Sequence, residues 1–405
     1  MQQRDQDQAG SVTILLCFLA ALCEGIDLQA AGVAAGGIRQ EFHPGNQLLS
    51  YFFSASTFGL FFGAIVGGRL ADRIGRKRVL VFATTVFGLF SLLTALAWDV
   101  PSLTAARLLT GLGLGGALPN LVALGSENAP AHRRSAYVTM IYAGTPLGGA
   151  LASLVSLLTA AAQWRWIFIV GGIVPLLVAP MIALRLPESS AFGRHRREAQ
   201  GSADRGSGVT AILGNGQAAR TLLLWVSFFF ALLTLYLLLN WLPTLLGTSG
   251  FDRVSVASCM IGFNLAGALS ALYIGFHLES NLRHRGVIAV FVGLPVLLFL
   301  LAAGSSAAAI VIVVVCALGA AVVAAQAILY AYAPLCYPTR IRATGVGFAV
   351  AMGRIGSIAG PLLGGLLLGS GRTPSQVLEG ILPIVVVGGC CAIALAWRQP
   401  PAVVE

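Results

Sequence analysis

A chain of 405 residues in which 57% of side chains are hydrophobic and only 10% charged, with a mean hydropathy of +0.86, lies outside the range of water-soluble domains. Its formal charge of +10 comes from 25 basic against 15 acidic residues, and no basic run interleaved with aromatics accompanies it. Nucleic acid is therefore excluded as the partner, and an integral membrane protein remains, its positive charge facing an anionic leaflet.

A bilayer core about 30 Å thick asks roughly 20 apolar residues of each helical span. Twelve such runs are predicted, at 12–36, 49–70, 79–98, 101–126, 136–160, 165–185, 221–246, 254–277, 286–304, 306–333, 344–369 and 376–397. Ten-residue segments of strand-like alternation are missing, and Gly and Pro sit inside the long runs, so the fold class is all-α. The first run resembles a signal peptide in the small residues that follow it, but its length and internal acids mark an uncleaved helix. The longest polar break, 186–220, reads as a flexible cytoplasmic linker rich in Gly, Ser and Arg. It divides the chain into six-helix halves at 1–185 and 221–405.

Orientation follows from Lys and Arg. With the N-terminus inside, cytoplasmic segments hold 19 of the 25, outer loops hold Arg39, Arg165, Arg253 and Arg372, and only Arg107 and Arg354 fall within spans. That asymmetry places both termini in the cytoplasm. The seven cysteines lie in or beside spans and read as buried apolar thiols, and neither a metal-ligand spacing nor a cofactor motif is present. "GLGLGG" in the fourth span lacks the preceding strand of a dinucleotide fingerprint, so close helix approach is the better account.

The halves echo each other. "ENAPAHRRSA" (127–136) and "LCYPTRIRAT" (335–344) align at an offset of 208, pairing Pro130 with Pro338 and Arg134 with Arg342. "GGRLADRIGRKR" (67–78) aligns with "IGFHLESNLRHR" (274–285) at an offset of 207. Two matches at nearly one offset indicate duplicated bundles.

Charges inside spans carry the functional argument. Glu24 and Asp27 stand three apart in "CFLAALCEGIDLQAAGVAAGG", so they share a helix face and must point into the bundle or a wet cavity. Two nearby acids with little solvent can exchange a proton with their surroundings, and the alternative is a structural acid neutralised by an arginine. Asp27 lies deeper in the span and is the better candidate of the two. Arg354 suits the carboxylate of an organic acid, which guanidinium grips through two parallel hydrogen bonds. Arg107 can pair with a first-span acid and couple proton to substrate, or simply lock helices together. Tyr236 and Gln326 are weaker candidates for orienting a ring, alongside Tyr142, Asn240, Asn264 and Tyr330; polar residues in spans also serve as helix-to-helix hydrogen bonds.

Gly68, Asp72, Arg73, Gly75, Arg76, Lys77 and Arg78 of "GGRLADRIGRKR" resemble the loop signature of the major facilitator superfamily, and Arg107, Gly111 and Gly113 its Arg-x3-Gly-x-Gly signature. "EGIDLQAAG" is similar to the Asp-Gly-x-Asp motif of the aromatic acid:proton symporters, with Glu24 replacing the first Asp, and Asp27 matches that family's residue type. "NWLPTLL", "PTRIRATGVG" and "GRIGSIAGPLLGG" are also similar to that family. The resemblance implies a twelve-helix major facilitator fold of two pseudo-symmetric six-helix bundles in a bacterial inner membrane, working as a monomer. It further implies proton-coupled uptake of a monocyclic aromatic carboxylate, 3-(3-hydroxyphenyl)propionate or a related phenylpropionate or hydroxybenzoate, with Arg354 agreeing with a family position in span eleven. Gly68, Asp72, Arg73, Gly75, Arg76, Glu127, Arg134 and Arg342 then form a cytoplasmic gate, in which Asp72 faces a helix N-terminus or Arg134 and lets go when the bundles rock. Leu335 stands where the second half would repeat Glu127, so the two latches are expected to be unequal. Proton-driven export of drugs or metabolites is the competing reading, and an enzyme is disfavoured because no Ser/His/Asp, metal or redox constellation shares one depth.

Overall fold

A computed structural model describes residues 2–128, 134–188, 217–277, 283–304, 307–338 and 341–398. Twelve long helices account for nearly all of them: α1 (Gln2–Phe42), α2 (Asn46–Ile74), α3 (Arg76–Ala95), α4 (Val100–Asn128), α5 (Arg134–Leu158), α6 (Arg165–Arg185), α7 (Ala218–Thr248), α8 (Arg253–His277), α9 (Arg283–Ala303), α10 (Ala308–Tyr332), α11 (Arg342–Gly369) and α12 (Pro374–Trp397). Each contains a stretch long and apolar enough to cross a membrane. The predicted spans agree in number and position. The largest differences lie in α1, which runs to Phe42 and thus carries Arg39 in its last turn, not in a loop. Residues 189–216 of the predicted linker lie outside the described residues.

Why such sequences stay helical follows from the solvent. In hydrocarbon no water can satisfy a backbone group, so each must be bonded within its own segment. Hydroxyls at Thr110, Ser153 and Thr234 follow the same rule, donating to the carbonyl four residues back at 2.8–2.9 Å. Proline is tolerated inside α4, α5, α6, α7, α9, α11 and α12. α12 begins with Thr373 capping the Gln376 amide and Pro374 in its first turn.

Without a hydrophobic drive between helices in lipid, close backbone approach through small residues does the packing. A Cβ at Gly111 would lie 2.0 Å from the Ser56 carbonyl oxygen, and one at Gly115 2.2 Å from that of Leu60, so α2 and α4 touch backbone to backbone. α1 and α5 meet in the same way at Gly148, where a Cβ would sit 2.0 Å from Leu22 O. Six helices later the pattern recurs. Gly356 and Gly360 bring α11 onto α7, at 2.1 Å and 2.4 Å from the Phe229 and Leu233 carbonyls, and Gly319 brings α10 onto α8. Corresponding helix pairs are thus packed by corresponding glycines, the structural counterpart of the sequence echo. The bundles α1–α6 and α7–α12 meet along α1 with α7, α2 with α11 and α5 with α8. Large exposed apolar side chains such as Leu184, Trp98 and Phe82 lie on the outside, where a soluble protein would not leave them.

Candidate functional site

Between the bundles lies a cavity of about 650 Å³. α1 contributes Glu24 and Gln29 to its wall, α5 Tyr142, α7 Tyr236, α8 Asn264, α10 Gln326 and Tyr330, and α11 Arg354. Toward one end the lining follows α5 out to Val138, α8 to Gly275 and the turn after α10 to Leu335, so the cavity extends toward the end of the bundle that carries the "GGRLADRIGRKR" turn. On the α1 and α7 side it stops at Gln29 and Leu239.

Arg354 lies on this wall with its Nη1 donating to the Tyr236 hydroxyl at 3.2 Å. One bond to a neutral phenol holds the guanidinium in place and leaves further donors for a bidentate anion. Tyr142 and Tyr330, from opposite bundles, stand with ring centroids 6.0 Å apart, and Phe228 meets Tyr330 edge-on at 5.2 Å. The arrangement is flat apolar walls around a cation. The predicted Tyr236, Gln326 and Arg354 are therefore brought together on one surface, and Tyr142, Tyr330 and Asn264 join them.

The two acids of α1 part company. Glu24 is buried on the cavity wall with Oε2 unpartnered among the described residues. Asp27 is fully buried beside α4, where its Oδ1 accepts from Arg107 Nη1 at 2.7 Å while its carbonyl accepts from Nη2 at 3.1 Å. Arg107 also lies over the Phe168 ring, 5.6 Å from its centroid. The pairing of Arg107 with a first-span acid thus appears in the structure, whereas the shared face does not reach the cavity as a pair. A 100° turn per residue puts positions three apart about 60° from each other, enough for one to face the cavity and the other the neighbouring helix.

Sequence reading passed over Gln29. Its Nε2 donates to Leu239 O at 3.3 Å and its Oε1 accepts from Asn264 Nδ2 at 3.2 Å, so one side chain of the first bundle ties both α7 and α8 at the closed end of the cavity. The signal was there: a third polar residue in "EGIDLQ", five positions beyond Glu24. Asn240 bonds within its own helix, to Tyr236 O at 2.8 Å, and does not line the cavity.

At the other end, Gly75 joins α2 to α3 with φ +103 and ψ 147, a conformation that only glycine adopts without strain. Gly68 has nothing within 4 Å of a Cβ position, so no steric demand explains it here. Asp72 and Arg73 are exposed, and Asp72 has no ion pair to a described residue. The Arg134 side chain lies outside the described ones. Glu127 forms an ion pair with Arg76, two residues that the sequence places in the same gate. Glu188, also passed over, accepts from the Lys77 amide at 3.0 Å and so sits on the N-terminus of α3, where the helix dipole favours an anion. Arg342 opens α11 and donates from Nε to Tyr337 O at 3.4 Å.

Comparison with known proteins agrees with this architecture. A family model described as Major Facilitator Superfamily matches residues 17–361. The 3-(3-hydroxy-phenyl)propionate transporter of Escherichia coli (strain K12) is 43% identical across 96% of this chain and 94% of its own length. The stretches "EGIDLQAAGVAAGGI" and "GLGLGGALPNLVAL" are the parts of this sequence that most resemble that transporter. The 4-hydroxybenzoate transporter PcaK of Pseudomonas aeruginosa is 35% identical over 91% of this chain and 88% of its own length. Among solved structures, a D-xylose-proton symporter superposes with a TM-score of 0.77 at 18% identity, covering 96% of this chain and 98% of that one, which bears on fold alone.

Proposed function

This chain belongs to the major facilitator superfamily, and from that premise we propose that it takes up monocyclic aromatic carboxylates together with protons, 3-(3-hydroxyphenyl)propionate or a related phenylpropionate or hydroxybenzoate being the cargo. It is a transporter and not an enzyme, as its named relatives are. The observation that carries the substrate reading is the cavity itself: aromatic walls from both bundles around an arginine whose remaining donors are free for a carboxylate.

In this reading Arg354 replaces the water that the substrate carboxylate loses, and the ring lies among Tyr142, Tyr236 and Tyr330. Glu24 shares the cavity with Arg354, so its protonation state decides how much positive charge the site presents to an anion. A proton on Glu24 strengthens the pull on carboxylate, and its release weakens it. Asp27 with Arg107 holds the α1–α4 contact behind Glu24 and forms the second half of the proton-coupling group. Each proton that accompanies the anion inward gains about 2.3 kcal/mol per 100 mV of membrane potential, so importing more protons than substrate charges lets potential and pH gradient both drive accumulation.

The arginine asymmetry supports a cytoplasmic position for the end toward which the cavity extends, with both termini on that side, in an inner membrane. Alternating access then closes that end while the Gln29 ties at the other break. Gly75 at the α2–α3 turn and Arg76 at the start of α3, with Glu127 and Glu188, act as the latch of that cytoplasmic end.

The test is uptake of radiolabelled 3-(3-hydroxyphenyl)propionate into proteoliposomes under an imposed inward proton gradient. Native protein is expected to accumulate the label. Arg354→Ala is expected to abolish uptake, and Glu24→Gln and Asp27→Asn to abolish its dependence on the gradient. Gradient-driven extrusion in place of uptake would favour an exporter, and undiminished uptake by Arg354→Ala would remove the assigned carboxylate ligand.

A further inference from the structure

At the end opposite to that reached by the central cavity, a second cavity of about 310 Å³ lies between α1, α5, α7 and α8. Small-ligand sites run from roughly 300 to 1,000 Å³, so the space is sufficient for one ring. Its charged lining side chains among the described residues are Arg39 and Arg253, and Trp164, Pro243, Phe251 and Met260 provide apolar and aromatic wall between them.

Neither guanidinium is neutralised. Arg39 donates to the uncharged Asn46 Oδ1, lies 6.0 Å from the Trp241 ring centroid, and buries an Nε with no partner among the described residues. Arg253 donates to the Ser156 carbonyl. The neighbouring carboxylates are engaged elsewhere: Glu41 accepts from Arg165 Nη2 at 2.7 Å and from Trp164 Nε1 at 2.8 Å, and Asp252 accepts from the Val254 amide at 3.3 Å. Arg39 is partly buried and held only by neutral groups, which is costly for a guanidinium, whereas Arg253 is exposed and open to an anion. An anion with apolar bulk relieves the charge of the first and covers the aromatic wall.

We infer that Arg39 and Arg253 form a vestibular site for a monocyclic aromatic carboxylate, separate from the central cavity; the ligand class rests on the transport reading above. The position of the two arginines gives the site a further consequence. Arg39 on α1 reaches α7, and Arg253 on α8 reaches α5, so both contacts cross between bundles and hold this end shut. A carboxylate that engages the guanidinium groups competes with those contacts and favours parting of the bundles at this end.

Equilibrium binding of radiolabelled 3-phenylpropionate to purified full-length protein in micelles tests the inference. Native protein is expected to show a tighter and a weaker class of binding. Arg354→Ala is expected to lose the tighter class only, and Arg39→Gln with Arg253→Gln the weaker class only. Gly247→Phe serves as a second route that keeps both arginines, because Gly247 lines the vestibule and has nothing within 4 Å of its Cβ position, so a ring there takes up space in the cavity. It too should lose the weaker class. A single class in native protein, lost in Arg354→Ala and unchanged in the vestibular variants, overturns this site while leaving the central one standing. No binding to native protein overturns the transport reading and this site with it.

Discussion

Replacing either member of the Asp27–Arg107 pair should be far more damaging than replacing both. Asp27 is 0% and Arg107 1% exposed, and they are joined at 2.7 Å, so no water can compensate a partner that is removed. Asp27→Leu leaves a guanidinium with one backbone carbonyl and the Phe168 ring as company, and Arg107→Met leaves a bare carboxylate. Breaking a buried pair in this way costs about 3–5 kcal/mol, which is roughly two to three and a half powers of ten in the folding equilibrium. The double variant replaces two desolvated charges by apolar groups of similar volume, an exchange that is often neutral or better. Its stability is expected within about 1 kcal/mol of native, giving a coupling energy of about 5 kcal/mol or more. The assay is reversible denaturation by dodecyl sulfate in mixed micelles, read by tryptophan fluorescence. Additivity of the two single variants to within about 0.5 kcal/mol would refute the reasoning, since it would mean that the charges do not interact. Proton-driven uptake should stay lost in the double variant although the fold recovers, which separates the pair's function from its part in stability.

Gln29→Ala removes the only described side chain of the first bundle that bonds both α7 and α8 at the closed end of the cavity; a cysteine placed at Gly36 should then react faster with a membrane-impermeant thiol reagent, and an unchanged rate would exclude a clasp. Tyr236→Phe deletes the hydroxyl that accepts from Arg354, and a bond to a charged group is worth about 1.5–3 kcal/mol, so carboxylate affinity measured by equilibrium binding should fall by about tenfold or more as the guanidinium loses its fixed aim. Two motif glycines should behave differently in thermal unfolding: Gly75→Ala should destabilise by about 1–3 kcal/mol because φ is +103, whereas Gly68→Ala, with open space around its Cβ, should unfold as native. Gly115→Leu should abolish folded yield by driving α2 from α4, since even a Cβ would stand 2.2 Å from a carbonyl oxygen.

Much of the architecture was legible in one dimension because membrane helices obey a local rule. Each span must satisfy its own backbone and be apolar over roughly 20 residues, so span count and placement need no knowledge of partners. Intramembrane charge is equally local as a signal: Glu24, Asp27, Arg107 and Arg354 stand out against apolar neighbours, and all four are found in the bundle interior or on the cavity wall. What those residues face was not legible. Helical spacing places Glu24 and Asp27 on one side of α1, yet that side meets both the cavity and α4, and only the contact of α4 with α1 hands Asp27 to Arg107.

The same limit explains the residues that were passed over. Gln29 and Glu188 are ordinary polar residues in sequence, and their significance comes from partners more than 100 positions away, Leu239 and Asn264 for one and Lys77 for the other. Glu127 and Arg76 likewise meet only because α3 and α4 pack side by side. Local hydropathy and repeated motifs already specify twelve helices crossing a membrane, in two related halves, with a few charges held inside. Tertiary structure decided which of those charges neutralise each other and which stay open to a ligand, because pairing depends on helix rotation and on the side-chain contacts between helices, and neither is encoded in hydropathy.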